Sequence, residues 1–571
     1  MNVNTYSKIN NDTINKYLLY IFKFQKMMEK LLILIMSIFL ILIAGSSNIY
    51  PIYLQKLMDK FNFDLSQLNM YGSSVTFGVW MGFPIGLIYD SFGPKISILV
   101  GTILLSGGHL ILHIILTLEG LKMDSIFPLL VVGFIIGQGN CLLYTTAITT
   151  NLKNFRFKQN SSIVGILVAN YAISPSIFTT YRESLTDLQS ENFYLYFSLF
   201  LLSIGISCIV ILNNLSAPYQ QDHLIKKYQK YKEKRVITLL MVYNMIPIFI
   251  FIFGVLFNFF KDSYTFPLIA IYPLMQLLNF CFVICEYLGF FDKLFYENFK
   301  KKIDFKAREQ IIEMQNQSSQ NQLVDEIQRE IQRKDTLASQ SNKEVPFMTA
   351  LTSPKLLLCF ISLMLGLGST LANLNNINFI LKSLSYKVHY SGMNKGVISI
   401  YKVKELFFYV ILYFAFNAII RISSGPFLDV LIKRKKFTLY FIIFTIIGGV
   451  SQLTGAIMNK HLLYLSIALA GATHGAYMTF VPLYVKNEFG LKNMGKILGV
   501  ITTGAGIGSF LVSELIFTIP YYNQAELEGG MQCFGKKCFV KSYIGTTSFF
   551  IINLAIGFAL NWIDEGKGQK K

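Results

Sequence analysis

Apolar residues in this chain gather into runs of twenty or so, separated by shorter polar stretches. A helix needs about 20 mostly apolar residues to cross the hydrocarbon of a bilayer. About fourteen such runs are present, near 31–55, 68–89, 96–118, 126–149, 162–182, 192–213, 236–260, 266–291, 355–377, 406–431, 437–458, 461–485, 495–519 and 542–562. Lipid offers no partner to an unpaired backbone group, so each run is predicted to be helical. The runs are too long and too unpatterned for barrel strands. The pattern therefore predicts an all-α polytopic membrane protein.

A ten-residue motif occurs twice at junctions between runs. Gly86-Leu-Ile-Tyr-Asp90-Ser-Phe-Gly93-Pro-Lys95 places Gly, Asp and a base at positions one, five and ten. Gly425-Pro-Phe-Leu-Asp429-Val-Leu-Ile-Lys433-Arg434 places the same classes at the same positions. A second pattern also repeats: Phe155-x-x-Lys158-x6-Gly165 precedes the fifth run, and Phe489-x-x-Lys492-x6-Gly499 precedes the thirteenth. The duplication divides the chain into two similar halves of six helices, residues 31–213 and 354–562. Between them lie a basic linker (214–235), an inserted two-helix hairpin (236–291) and a polar insertion (292–353). Segments 1–30 and 563–571 flank the whole. Two repeats around a central site are the design of a carrier that rocks one half against the other.

Composition agrees, with 53% hydrophobic and 15% charged residues in 571. A soluble chain would carry about a quarter charged residues. The net charge of +19 does not point to nucleic acid, because the bases gather in alternate loops. Lys16, Lys23, Lys26 and Lys30 precede the first run, and Lys153, Arg156 and Lys158 follow the fourth. Six more lie between Lys226 and Arg235, and others between Lys433 and Lys436. This positive-inside bias places both termini and the 292–353 insertion in the cytosol. Residues 381–405 break the rule, being expected outside yet holding five lysines. The four glycosylation sequons, at Asn11, Asn160, Asn214 and Asn316, fall on the expected cytosolic side.

The first run is preceded by about 30 mixed residues and is too long for a signal core, so a signal-anchor role is expected rather than cleavage. Residues 14–30 are amphipathic and suit the inner membrane face. In the insertion, Leu323, Val324, Ile327 and Ile331 recur at helical spacing, which predicts one short amphipathic helix. Cys141, Cys208, Cys281, Cys285 and Cys359 sit in apolar runs as small hydrophobes. Cys533 and Cys538 flank Phe-Gly-Lys-Lys in a polar outside loop, where either a short disulfide or two free thiols fits.

The doubled ten-residue motif resembles the signature of the major facilitator superfamily, whose fold is two six-helix halves. The resemblance covers nearly the whole chain apart from the inserted hairpin and insertion. It implies that Gly86, Asp90, Gly93, Lys95, Gly425, Asp429 and Arg434 serve packing and gating, not substrate binding. Asp64-Leu-Ser-Gln-Leu-Asn69, Asn154-Phe155, Gly165-Ile-Leu, Ser174-Pro-Ser-Ile-Phe178, Gly471-Ala-Thr-His474-Gly475, Glu488-Phe489-Gly490 and the Cys533/Cys538 loop look like the nodulin-like branch. That branch is related to the oxalate/formate and monocarboxylate carriers. Its usual Asn-Phe-Pro and Arg-Gly block is replaced here by Asn154-Phe155-Arg156-Phe157.

Ionisable groups inside a span are costly and need a reason. Arg421 lies eight residues before Asp429, or about 12 Å along the helix. The run Arg421-Ile-Ser-Ser-Gly425 is similar to the Arg-Pro-x-x-Gly pattern of monocarboxylate carriers, where the arginine holds the substrate carboxylate. A guanidinium suits that role through two parallel hydrogen bonds. The competing reading has Arg421 snorkelling or joining a gate with Asp429 or Asp90. Those carriers have Asp one turn earlier, where this chain has Asn417, which puts proton coupling in question. His474, Gln138, Asn140, Asn170, Tyr171 and Asn48 are further candidates for a central wall, with interhelical hydrogen bonding as the alternative for each. Asn373, Asn375 and Asn376 suggest a broken helix tip near an outer gate, and Glu286 is expected to pair with Lys293 or face the lipid edge.

No Walker loop, Ser-centred elbow or metal-spaced His/Cys set is present, so neither an enzyme nor an ATP-driven pump is expected. The expected activity is secondary or facilitative transport of a small organic solute by alternating access. A monocarboxylate or other organic anion leads, with an amino acid second. A transporter-like receptor or scaffold is the reading from another class. No cofactor is implied beyond a coupling proton or sodium ion. The expected partners are the solute and the lipid bilayer, and a monomer is consistent with the sequence. The plasma membrane and an organelle such as the vacuole both fit.

Overall fold

A computed structural model of the chain describes residues 29–50, 60–63, 65–123, 125–155, 160–184, 192–214, 344–391, 394–399, 403–433, 436–528 and 533–569, with scattered positions between 57 and 281. The N-terminal segment, most of the inserted hairpin with Glu286, the helix expected near Leu323 and Arg434 lie outside the described residues.

The first half begins with α1, Glu29–Ile49, whose last turn tightens to a 3₁₀ helix at Ser46–Ile49. The next helix, α2, covers 65–92 and is broken at Met81 (φ −73°, ψ 71°). Pro84, with no N–H to donate, follows three residues later. At Gly93 the chain adopts φ 75°, a conformation that favours glycine, and Pro94 starts α3 (94–117). The first motif copy therefore forms the turn between two antiparallel helices. Then follow α4 (Phe127–Asn154), α5 (Asn160–Ser184) and α6 (Asn192–Asn214).

A short helix α7, Phe347–Leu351, introduces the second half. Its helices are α8 (Pro354–Asn375), the small α9 (Ile377–Leu384), α10 (Val403–Lys433), α11 (Phe437–Ala456), α12 (Lys460–Phe489), α13 (Met494–Leu527) and α14 (Val540–Gln569). Leaving out α7 and α9, the described residues form two sets of six long helices. By length and composition, ten helical stretches suffice to cross a membrane, with α2 and α3 counted as one. At 30 residues α12 is long enough but more polar. Large apolar side chains face outward, among them Leu99, Ile103, Leu515, Ile551 and Ile552, as lipid contact requires.

One element departs from the all-α expectation. Tyr386–Ser391 and Asn394–Ser399 pair as an antiparallel hairpin between α9 and α10, with Lys387 opposite Ile398 and Val388 opposite Val397. The alternation of Tyr, Val and Ile with polar residues carries strand propensity that a count of lysines passes over.

Two seams join the halves. Along the first, α2 and α13 run antiparallel. The backbones touch at Gly86 and Gly82, where a methyl would collide with the Gly495 and Gly499 main chains. Farther along, Trp80 meets Gly506 and Phe77 meets Phe510, with ring centroids 6.5 Å apart. Along the second, α5 meets α10. A methyl on Gly425 would lie 2.7 Å from the Ser162 Cα, and one on Gly165 would lie 3.0 Å from the Arg421 carbonyl. Between apolar helices in lipid there is little hydrophobic drive, so close packing of small residues supplies the attraction.

The two ends of the bundle differ. At one lie both motif copies and the carboxyl end of α14, where Lys355 pairs with Glu488 (2.6 Å) and with Asp564. There Glu344 accepts from the Lys492 N–H at 2.8 Å, and Phe347 of α7 stacks on Phe83 of α2, centroids 6.2 Å apart. At the opposite end Cys533 and Cys538 form a disulfide, and the Gly535 N–H donates to the Ser383 carbonyl at 2.8 Å.

Candidate functional site

At the motif end the two aspartates do equivalent work. Asp90 Oδ2 accepts from the Lys496 N–H at 2.9 Å, on the third residue of α13. Asp429 Oδ2 accepts from the Ser162 hydroxyl at 3.1 Å, on the third residue of α5. Ser162 and Lys496 each stand seven residues after the phenylalanine of the second repeated pattern. Each motif carboxylate thus sits at the amino end of the fifth helix of the opposite half, where the helix dipole favours negative charge. Lys153 lies 3.6 Å from Asp90 and over the Tyr89 ring at 4.7 Å, while Lys95 is exposed. These contacts close the motif end of both seams.

Midway along the bundle the polar candidates divide. Arg421 is fully buried. Its Nη1 donates to the Val168 carbonyl at 2.8 Å, and its guanidinium lies 5.5 Å from the Tyr171 ring centroid. Nε and Nη2, also buried, have no hydrogen-bond partner. Among the described residues no carboxylate pairs with Arg421. Nε and Nη2 form one edge of the planar fork, the edge that presents two parallel N–H groups to a carboxylate. The Tyr171 hydroxyl accepts from Asn140 Nδ2 at 3.0 Å and from Asn48 Nδ2 at 3.2 Å, and Asn140 also reaches Ser47. Asn140 Oδ1 and the Tyr144 hydroxyl are left open.

The C-terminal half adds the facing wall. Asn417 is one turn before Arg421 on α10 and is buried with both polar atoms open. His474 Nδ1 is 2.6 Å from the Tyr413 hydroxyl, Nε2 is open, and the ring lies 5.8 Å from Trp80 of α2. Arg421, Asn417, His474, Asn140, Tyr171 and Asn48 therefore surround the middle of the bundle, where the halves meet.

Two candidates turn elsewhere. Gln138 Nε2 donates to the Gly78 carbonyl at 2.7 Å and the Met81 carbonyl at 3.1 Å, satisfying acceptors released by the break in α2. Asn170 donates to Asn244 Oδ1 at 3.1 Å, a residue of the inserted region. Asn373 reaches Gln452 at 3.1 Å and Asn376 reaches Ser513 at 2.7 Å. Asn375 accepts from the Tyr50 hydroxyl at 3.2 Å, a contact between halves toward the disulfide end.

Tyr144, Tyr413 and Trp80 are not among the candidates that the sequence suggests. Tyr413, Asn417 and Arg421 fall at four-residue spacing, as do Asn140 and Tyr144, so helical periodicity applied outward from Arg421 and Asn140 would have found the tyrosines. Trp80 carries the weaker signal of rarity, being one of two tryptophans.

Residues 30–285 match the protein-family model described as Nodulin-like. No curated protein matches the chain. The proton:xylose symporter XylE of the major facilitator superfamily, solved with 6-bromo-6-deoxy-D-glucose, is 9% identical with a TM-score of 0.50, covering 93% of this chain and 94% of that one. The transporter FucP in the outward conformation is 15% identical with a TM-score of 0.45, covering 92% and 97%. The likeness to XylE is one of fold.

Proposed function

We propose that this chain, a major facilitator superfamily transporter of the nodulin-like branch, carries a small organic anion by alternating access, with Arg421 as the group that binds its carboxylate. The observation that supports this most is the open Nε/Nη2 edge of a fully buried guanidinium that has no counter-ion among the described residues. An uncompensated buried charge costs several kcal/mol. A bound anion offsets that cost and completes two charge-assisted hydrogen bonds at once. The position of Arg421 between the halves lets substrate binding bear on their relative movement.

Carboxylate binding fills the guanidinium edge, and the open Asn417 amide and Asn140 Oδ1 orient the rest of the molecule. A zwitterionic amino acid is the second reading. It is favoured by Asn417 Oδ1 and Asn140 Oδ1, two buried acceptors that suit an α-ammonium group. The motif end is cytosolic in this reading, and the disulfide end faces the oxidising side.

The test is uptake of radiolabelled carboxylates and amino acids by the purified protein in liposomes. Each is measured with and without pH and sodium gradients. Saturable uptake of acids that their uncharged amides do not inhibit is the expected result. Uptake of neutral sugars in preference to acids would overturn the proposal.

A further inference from the structure

The α2–α13 seam carries a carboxylate at each end. Asp90 is at the motif end, held by the amino terminus of α13. Following the seam from Trp80/Gly506 to Phe77/Phe510, one more turn on each helix reaches Ser73 and Glu514. Glu514 lies in a π-helical stretch of α13, Val512–Thr518, a local widening often found at functional positions. Its hydroxyl neighbours are Ser73 of α2 and Thr518. Both hydroxyls lie toward the half-buried carboxylate, but Glu514 Oε1 and Ser73 Oγ, themselves buried, complete no hydrogen bond of ordinary geometry.

Four other carboxylates at helix ends are engaged, Asp90 and Asp429 on helix amino termini and Glu488 and Asp564 on Lys355. Among the described residues no cation pairs with Glu514. Among the described residues, the elements around it carry tyrosines (Tyr50, Tyr71, Tyr521, Tyr522 and Tyr543), the partly buried Lys382 of α9 and, at exposed positions, Glu526, Glu528 and Lys541. The tyrosines ordinarily titrate near pH ~10 and stay neutral at physiological pH.

We propose that Glu514 is a proton-binding site, and that its protonation holds the disulfide end of the α2–α13 seam closed. With that end shut, an ionised carboxylate stands half-buried beside the seam with one buried oxygen unsatisfied, which is costly. A proton taken from the solution on that side neutralises the group and gives it an O–H to donate to Ser73. When this end opens, water solvates the carboxylate and the proton returns to solution. Low pH therefore favours closure and high pH favours opening. The inference uses the transport reading only in assuming that the ends open in turn; it does not depend on Arg421 or on the substrate.

The experiment measures the distance between spin labels on Leu118→Cys and Leu527→Cys, at the disulfide ends of α3 and α13, where Leu118 and Leu527 are 51% and 81% exposed. Native unpaired cysteines are replaced, and the protein is placed in lipid nanodiscs without substrate. From pH 8.5 to 5.5 the wild-type separation is expected to shorten. Glu514→Gln should stay at the shorter distance throughout, and Glu514→Asp should keep the response. Ser73→Ala should lower the midpoint by about 0.4–1 pH unit, the loss of one ordinary hydrogen bond. A Glu514→Gln protein that responds to pH like wild type would overturn the proposal. So would a pH-independent wild type, or shortening driven by sodium at constant pH. None of these outcomes bears on uptake of acids through Arg421.

Discussion

Arg421 shows how far a single residue can be read from its own stretch of chain. Its mid-span position and the spacing to Gly425 single it out. Which of its five N–H groups are free depends on α5, a helix more than two hundred residues away in sequence. Gln138 is the opposite case. Its sequence position suggests a wall residue, but its amide serves a break in α2. No local pattern around Gln138 reveals that, because the broken carbonyls belong to another helix. The proposed carboxylate binding at Arg421 has a consequence that a single substitution can expose. Arg421→Lys keeps the charge but loses the two-point geometry. Losing a charge-assisted hydrogen bond costs about 1.5–3 kcal/mol, roughly tenfold to a hundredfold in affinity. An uncharged amide of the same acid should bind wild type weakly and lose little more in the mutant. Calorimetric titration of both ligands on both proteins gives that non-additivity. Equal weakening of both ligands in Arg421→Lys would assign the residue to a gate instead.

At the level of elements, the pairing of each motif with the fifth helix of the other half explains two repeats at once. The sequence shows both patterns, but not that they meet across the halves. The meeting follows from antiparallel packing of α2 on α13 and from the seam between α5 and α10. Helix boundaries were legible because lipid sets their length. The break at Met81 and the hairpin at Tyr386–Ser399 were not, since they depend on tertiary acceptors and cross-strand pairing. Asp90→Asn and Asp429→Asn should each weaken closure of the motif end while leaving the Arg421 cluster untouched. A carboxylate at a helix amino terminus contributes about 0.3–1 kcal/mol, more when buried, so the shift in populations should be several-fold. Hydrogen exchange at the amino-terminal turns of α13 and α5 should quicken in the respective mutants. Unchanged exchange with lost ligand binding would show that the aspartates act on the site itself.

For the whole molecule, the division into halves was readable because duplication leaves a mark that composition alone does not. The relative tilt of the halves, and hence which end is closed, was not readable from the sequence. The proposed orientation puts the termini and residues 292–353 in the cytosol. A cysteine introduced at position 320 should therefore resist a membrane-impermeant maleimide in intact cells and react after permeabilisation. Reaction in intact cells would invert the topology.

The contact of α7 with both halves has a practical consequence. Glu344 is tied to the approach to α13 and Phe347 rests on α2, so this short helix straddles the seam that would part if the motif end opens as the proposed alternating access requires. Met348 beside them is 73% exposed and free to carry a dye. An environment-sensitive fluorophore on Met348→Cys should brighten or dim with each opening of that end in the proposed cycle, making the strap an optical gauge that can be followed with no substrate in hand.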